Sequence, residues 1–263
     1  MNSDQLQGVS LTTMIPFGAV LNAAEPQSDL HLLQVSELKQ LVEEHRVVIL
    51  RGFAPLGGDY FPEFCRRFGE LQEWDFGVVN HLRVDPQAEN YLYTNGAVPF
   101  HWDGAFAGQI PHYIMFHCDT APAAGGETLF CDGMRLLKAA PAKVVNQWRR
   151  IEITYTTEKV VHYGGSFTSA LITKHPENGK EVLRFAEPVF DLNPVQLKFD
   201  GLSDFSEAEF LADMRERLRD EAVCYAHAWR SGDLVIADNY VLLHGRREFA
   251  AGGKRQIRRV NVF

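Results

Sequence analysis

His101-Trp102-Asp103 places an imidazole and a carboxylate two residues apart. On an extended chain such residues project from the same face, so the two groups can converge on one ion. A second histidine would complete a facial triad of two His and one carboxylate, a donor set that leaves positions open and suits non-haem Fe(II) oxygenases. His244 supplies it, within Asp238-Asn239-Tyr240-Val241-Leu242-Leu243-His244-Gly245-Arg246, just after a predicted strand. Two His and one carboxylate also hold Zn²⁺ around an activated water, so the triad alone admits a zinc hydrolase. Taken alone, His101 and Asp103 also read as an ordinary polar pair near a turn.

Arg255 stands eleven residues beyond His244, and Arg259 four further on. On a strand these two share a face, and a guanidinium fork captures a carboxylate through two parallel hydrogen bonds. A metal triad with such an arginine nearby matches a keto-diacid cosubstrate, chelating the metal at one end and clamped at the other. A zinc hydrolase has no use for that arginine.

From Val47-Val48-Ile49-Leu50-Arg51-Gly52 to its C-terminus the chain resembles the TauD/TfdA family of Fe(II)/2-oxoglutarate dioxygenases. The resemblance rests on His101-Trp102-Asp103, Gly125-Gly126-Glu127-Thr128, Gly232-Asp233, Asp238-Asn239, His244 and the Arg255/Arg259 spacing. It implies a double-stranded β-helix, with Fe(II), 2-oxoglutarate and O₂ as cofactor and cosubstrates. It implies that His101, Asp103 and His244 are the metal ligands and catalytic centre, that Thr128 and Arg255 hold 2-oxoglutarate, and that Arg259 faces substrate or the chelating carboxylate. Related halogenases carry Ala or Gly where Asp103 stands, so hydroxylation, desaturation or oxidative decarboxylation is expected in place of halogenation. Within the family, Phe100-His101-Trp102-Asp103-Gly104, His162-Tyr163-Gly164-Gly165 and Arg184-Phe185-Ala186-Glu187-Pro188 resemble the PvcB-type oxygenases of isonitrile biosynthesis. The implied substrate is a small amino-acid-derived metabolite, such as the aromatic isonitrile of tyrosine. A sulfonate or other small carboxylate is the alternative.

The elements that must position these residues are mostly short strands. Val47–Leu50 reads as a strand buried on both faces, Tyr113–Phe116 and Asp233–Asp238 as further strands, and Gln256–Phe263 as the last. Tyr91–Thr94 before Asn95-Gly96 also reads as β. Residues 1–30 form an arm or an opening strand. Helices are expected after Ser36 (Leu38, Leu41, Val42), over Phe61, Phe64, Cys65 and Phe68 with Gly69 as stop, from Asp132 to Ala140, from Ala142 to Arg150, and from the capping box Ser206/Glu209 to about Glu221. The fold class is therefore mainly β with flanking helices, a jelly roll in one domain over residues 1–263. Loops at 75–90 and 160–180 are candidate lids.

Composition agrees with a metabolic enzyme. A formal charge of −8 and the lack of a basic run other than Lys254–Arg259 exclude a nucleic-acid binder. No apolar stretch is long enough for a membrane span, and Met1-Asn2-Ser3-Asp4-Gln5 opens no leader. The four cysteines form neither a CxxC pair nor a disulfide pattern, which points to the cytoplasm. The expected partner is a small molecule, and a homo-oligomer is compatible with the sequence. Trp102 is expected to point away from the ligands into the core, Asp238 and Asn239 to make a turn, and Arg246 to support the ligands or pair at the surface. His112, His117, His162, His175 and His227 are read as surface or locally hydrogen-bonded, His162 being the one that could sit in a loop over the site.

Overall fold

The computed structural model describes residues 8–160, 163–202 and 206–263. In chain order the strands are β1 (Val9–Thr13), β2 (Ala19–Ala23), β3 (Val47–Arg51), β4 (Asn80–Arg83), β5 (Val98–His101), β6 (Tyr113–Thr120), β7 (Thr128–Asp132) and β8 (Glu152–Val160). They continue as β9 (Tyr163–Ala170), β10 (Ile172–Lys174), β11 (Glu181–Leu183), β12 (Gln196–Asp200), β13 (Cys224–His227), β14 (Leu234–Asp238), β15 (Leu242–Arg246) and β16 (Gln256–Val262). The helices are α1 (Val35–His45), α2 (Tyr60–Arg66), α3 (Gly133–Ala139), α4 (Ala142–Trp148) and α5 (Glu207–Leu218). The chain is mainly β with flanking helices.

A seven-stranded sheet runs in the order β1-β2-β3-β14-β6-β16-β4, and a four-stranded sheet in the order β13-β7-β15-β5. Strand alternation sorts their residues into layers. Val47, Ile49, Ile114, Phe116, Val235, Ala237 and Ile257 of the larger sheet meet Phe130 and Leu242 of the smaller in one buried cluster between the sheets. Their neighbours Val48, Leu50, Met115, Leu234, Ile236 and Val260 face outward, under Leu38, Leu41, Phe61 and Phe64 of α1 and α2. Each fully buried Phe or Leu there contributes about 1.5–3 kcal/mol. The outer face of the smaller sheet is covered by α3, α4, α5 and the sheet β12-β8-β9, with Trp148, Tyr155 and Phe210 in its core.

Both sides of β3 are buried, as its continuous apolar run predicts. The helices at 132–150 and the capping box of α5 also form as expected. Four local expectations fail. Tyr91–Tyr93 is a 3-10 turn, because the Asn90 side chain accepts from Leu92 N–H at 2.9 Å and bends the chain out of a ladder. α1 starts at Val35 after Gln34 with no side-chain cap, one residue ahead of Ser36. α2 ends at Arg66, and Gly69 serves a different purpose: a Cβ there would collide with the Phe263 carbonyl. The candidate lid segments hold strands, β4 in 75–90 and β9 and β10 in 160–180. Residues 1–7 of the expected arm, and His162, lie outside the described residues.

Candidate active site

Both candidate histidines face the space between the sheets. His101 ends β5 and His244 lies mid-β15, opposite each other in register, while Arg246 pairs with Val98. One residue on β15, Gly245, therefore opposes two on β5, Pro99 and Phe100, a bulge of the kind that re-aims side chains next to active sites. Gly245 makes it feasible: a Cβ at this position would lie 2.8 Å from the Val98 carbonyl oxygen. Asp103 follows His101 by two residues, just before Gly104, whose φ of 97° favours glycine.

The ligating atoms of His101, Asp103 and His244 all lie within 4.8 Å of one another. The Nε2 atoms of His101 and His244 stand 3.8 and 3.9 Å from Asp103 Oδ1. His101 Nδ1 is 2.9 Å from the Pro99 carbonyl, which fixes Nδ1 as the donor and leaves Nε2 free to ligate. Burial holds the His101 imidazole below its usual pKa and the His244 imidazole well below it, so both are neutral lone-pair donors. Burial opposes ionisation of Asp103, but chiefly the Arg259 guanidinium outweighs it and keeps the carboxyl below its ordinary value. Arg259 Nη1 donates to Asp103 Oδ1 at 3.1 Å and lies 3.0 Å from Oδ2. These groups could hold one divalent cation.

Neighbouring side chains fix the ligand strand. Asn239, fully buried, accepts from Asp103 N–H at 3.1 Å and donates to the carbonyls of Asp103 and Pro111 at 3.0 and 2.9 Å. Arg184 donates to the carbonyls of Asn239 and Tyr240. Glu187 accepts from Phe100 N–H at 2.9 Å while Arg219 forks onto its carboxylate at 2.8 Å. Two residues of the Arg184–Pro188 segment thus brace β5, which ends in His101, and the Asn239-Tyr240 turn that holds the Asp103 backbone.

A second group lies beyond His244. Thr128 opens β7 in register with Arg246. Arg255 donates through Nε to the Gly126 carbonyl at 3.2 Å and approaches Thr128 Oγ1 at 3.4 Å. His101, Thr128, His244, Arg255 and Arg259 line one small cavity. Arg255 is 4% exposed, and burial with the nearby Arg246 lowers its pKa to about 9, still charged at neutral pH. Among the described residues it forms no ion pair. A buried cation without a protein anion carries a large desolvation cost unless something pairs with it, and a ligand carboxylate would do so. Arg246 instead spends its guanidinium on the carbonyls of Leu92, Thr94 and Gly96.

On the opposite side of His101 and Asp103 opens a cavity walled by aromatic rings, among them Trp102, Phe106, Tyr155 and Phe167. Tyr155 and Phe167 stack at 5.0 Å, and Phe106 meets Phe167 edge-on at 4.9 Å. Such a wall suits an apolar, flat substrate held beside the metal position.

The family model for the taurine catabolism dioxygenase TauD, TfdA family matches residues 9–261. The chain belongs to the TauD/TfdA family. It is 44% identical to 3-((Z)-2-isocyanoethenyl)-1H-indole synthase of Fischerella ambigua, over 98% of this chain and 97% of that protein. It is 35% identical to tyrosine isonitrile desaturase of Pseudomonas aeruginosa, over 94% of this chain and 87% of the relative. The solved structure of PvcB, an Fe, alpha-ketoglutarate dependent oxygenase from an isonitrile synthetic pathway, superposes with a TM-score of 0.82 at 32% identity, covering 97% of this chain and 92% of PvcB. The protein is an Fe(II)/2-oxoglutarate-dependent oxygenase, and the zinc-hydrolase alternative falls.

All six residues singled out in this TauD/TfdA sequence converge: three at the triad, Thr128 and Arg255 in the small cavity, and Arg259 between them. Arg259 is engaged by Asp103, a partnership not visible in the sequence. Trp102 does pack in the core at 3% exposure, and it also borders the aromatic cavity. Asn239 does more than make a turn. His117, His175 and His227 are buried as well as locally bonded, to Asp119, to the Glu177 backbone and to Tyr225 respectively. Trp229, which donates to Thr128 at 3.1 Å, escaped notice because a lone aromatic before a strand carries no spacing signal.

Proposed function

We propose that this chain oxidises an aromatic amino-acid isonitrile by desaturation or oxidative decarboxylation. His101, Asp103 and His244 would hold Fe(II), and Thr128 and Arg255 the distal carboxylate of 2-oxoglutarate. Arg259 orients Asp103 and borders both cavities, where substrate or the chelating carboxylate would meet it. The fit to the metal rests on the three converging donors, and the fit to the keto acid on Arg255, buried and without an ion-pair partner among the described residues. Bound iron would supply O₂ activation coupled to decarboxylation of 2-oxoglutarate to succinate and CO₂. The protein's share is to orient the reactants, exclude water and fix the ligand carboxylate through Arg259 and Asn239.

The observation that carries the substrate reading is the aromatic cavity beside His101 and Asp103. The relatives' names give it chemistry: one denotes an isocyanoethenyl indole, the other a tyrosine isonitrile. We further read the seven- and four-stranded sheets as a double-stranded β-helix, residues 1–263 as one domain, and the cytoplasm as the compartment. All four cysteines being free supports the last, and among the described residues no helix is long and apolar enough to cross a membrane.

The test is incubation with Fe(II), 2-oxoglutarate, O₂ and either tryptophan isonitrile or tyrosine isonitrile, followed by mass spectrometry. Loss of two hydrogens, with or without loss of CO₂, is expected for at least one. Turnover of taurine or an aryloxyacetate with both isonitriles left intact would overturn the substrate assignment.

A further inference from the structure

Thr128 Oγ1 accepts hydrogen bonds from two groups that can only donate. One is the indole N–H of Trp229 at 3.1 Å, the other an Nη of Arg255 at 3.4 Å. A hydroxyl oxygen has two lone pairs, so with both engaged its own proton must point elsewhere. Among the described residues that proton has no acceptor. Thr128 is 4% exposed and lines the cavity shared with His244 and Arg255.

Trp229 is itself clamped. Its ring meets His227 edge-on at 4.4 Å and Phe116 at 6.1 Å. His227 is held by Tyr225 at 3.1 Å and lies 3.3 Å from Asp233, onto which Arg51 forks at 2.7 and 2.8 Å. His227 is also the register partner of Thr128 across β13 and β7. A chain of packed groups therefore fixes where the indole N–H points.

We propose that Trp229 is a positioning residue for the cosubstrate: its indole N–H makes the Thr128 hydroxyl an obligate donor, so the subsite takes a carboxylate. With Arg255 this subsite offers donors alone, and a ligand end that must itself donate, such as a primary amide, finds no acceptor there. The proposal rests on Thr128 and Arg255 receiving 2-oxoglutarate.

The experiment is a double-mutant cycle on 2-oxoglutarate binding, read anaerobically by calorimetry with Mn(II) in place of Fe(II), together with the KM-against-kcat split. Thr128→Val should weaken binding roughly tenfold or more, the value of a hydrogen bond to a charged group. Trp229→Phe should weaken it roughly three- to tenfold with kcat little changed, and should add nothing in the Thr128→Val background. Replacing Trp229 with 3-benzothienylalanine, which keeps the ring and its packing but lacks the N–H, should reproduce Trp229→Phe and covers the case in which that variant folds poorly. An isosteric replacement that binds 2-oxoglutarate normally while Thr128→Val does not would overturn the role of Trp229 and leave the subsite intact. An equal loss on both backgrounds would likewise overturn it, by showing that Trp229 acts through packing. Normal binding in both Thr128→Val and Arg255→Gln would overturn the subsite itself, and the proposal with it.

Discussion

The side-chain amide of Asn239 holds both backbone groups of Asp103, accepting from its N–H at 3.1 Å and donating to its carbonyl at 3.0 Å. Both backbone groups of Asp103 are thereby paired although it lies outside any strand. Asn239→Ala leaves a buried N–H and two carbonyls unpaired, so stability should fall by roughly 2–4 kcal/mol. Iron affinity should fall about 10- to 100-fold, as for other groups that orient a metal ligand. Asn239→Asp, of equal size, replaces that amide donor with an acceptor oxygen facing the two carbonyls and should not rescue either loss. Denaturant melts and iron titrations check this.

Arg255 should govern cosubstrate affinity. Arg255→Gln removes the buried charge and the fork, so the 2-oxoglutarate KM should rise at least tenfold, the worth of one charge-assisted hydrogen bond of roughly 1.5–3 kcal/mol. Arg255→Lys keeps the charge without the fork and should fall between. Succinate formation against 2-oxoglutarate concentration reads it directly.

Gly245 should tolerate no side chain. In Gly245→Ala the new Cβ would meet the Val98 carbonyl oxygen at 2.8 Å, forcing β5 away from β15 and separating His101 from His244. Lower thermal stability and weaker iron binding are expected together. A variant with normal iron affinity would show that the bulge does not set the triad.

Asp238 gives a pH signature. Burial raises its carboxyl to about 6 in the folded chain, from an ordinary value of 3.8, although Arg46 and the Tyr240 N–H oppose the shift. The folded state thus binds this proton more tightly than the unfolded state, and stability from this group is greatest at low pH and lost as pH rises from about 4 through about 6. Compared with Asp238→Asn, the wild-type chain should lose up to about 3 kcal/mol of relative stability across that window. A pH-independent difference between the two proteins would contradict the shift.

The convergence of the candidate site was legible because it is built from residue types at fixed offsets: His101 to Asp103 through strand periodicity, Arg255 and Arg259 through their distance from His244. The buried run of β3 and the Ser206/Glu209 box were legible for the same reason, since burial on both faces and capping leave local signatures. Residues that act through tertiary partners left none. Asn239 looked like a turn residue because its side chain reaches a backbone 136 positions away, and nothing local reveals Asp103 as the partner of Arg259. Tyr91–Tyr93 misled because its aromatic pattern suits a strand, while the Leu92 N–H donating to the Asn90 side chain and the Tyr93 N–H donating to the Asn90 carbonyl turn it out of one.

We propose His101, Asp103 and His244 as the residues that would hold the iron on which 2-oxoglutarate binds. The direct measurement is the visible absorption of the anaerobic protein titrated with Fe(II) and then 2-oxoglutarate. A charge-transfer band should form in the wild-type chain, be absent in His244→Ala, and require higher 2-oxoglutarate in Arg255→Gln. No band in the wild-type chain, or an undiminished one in His244→Ala, would contradict the account.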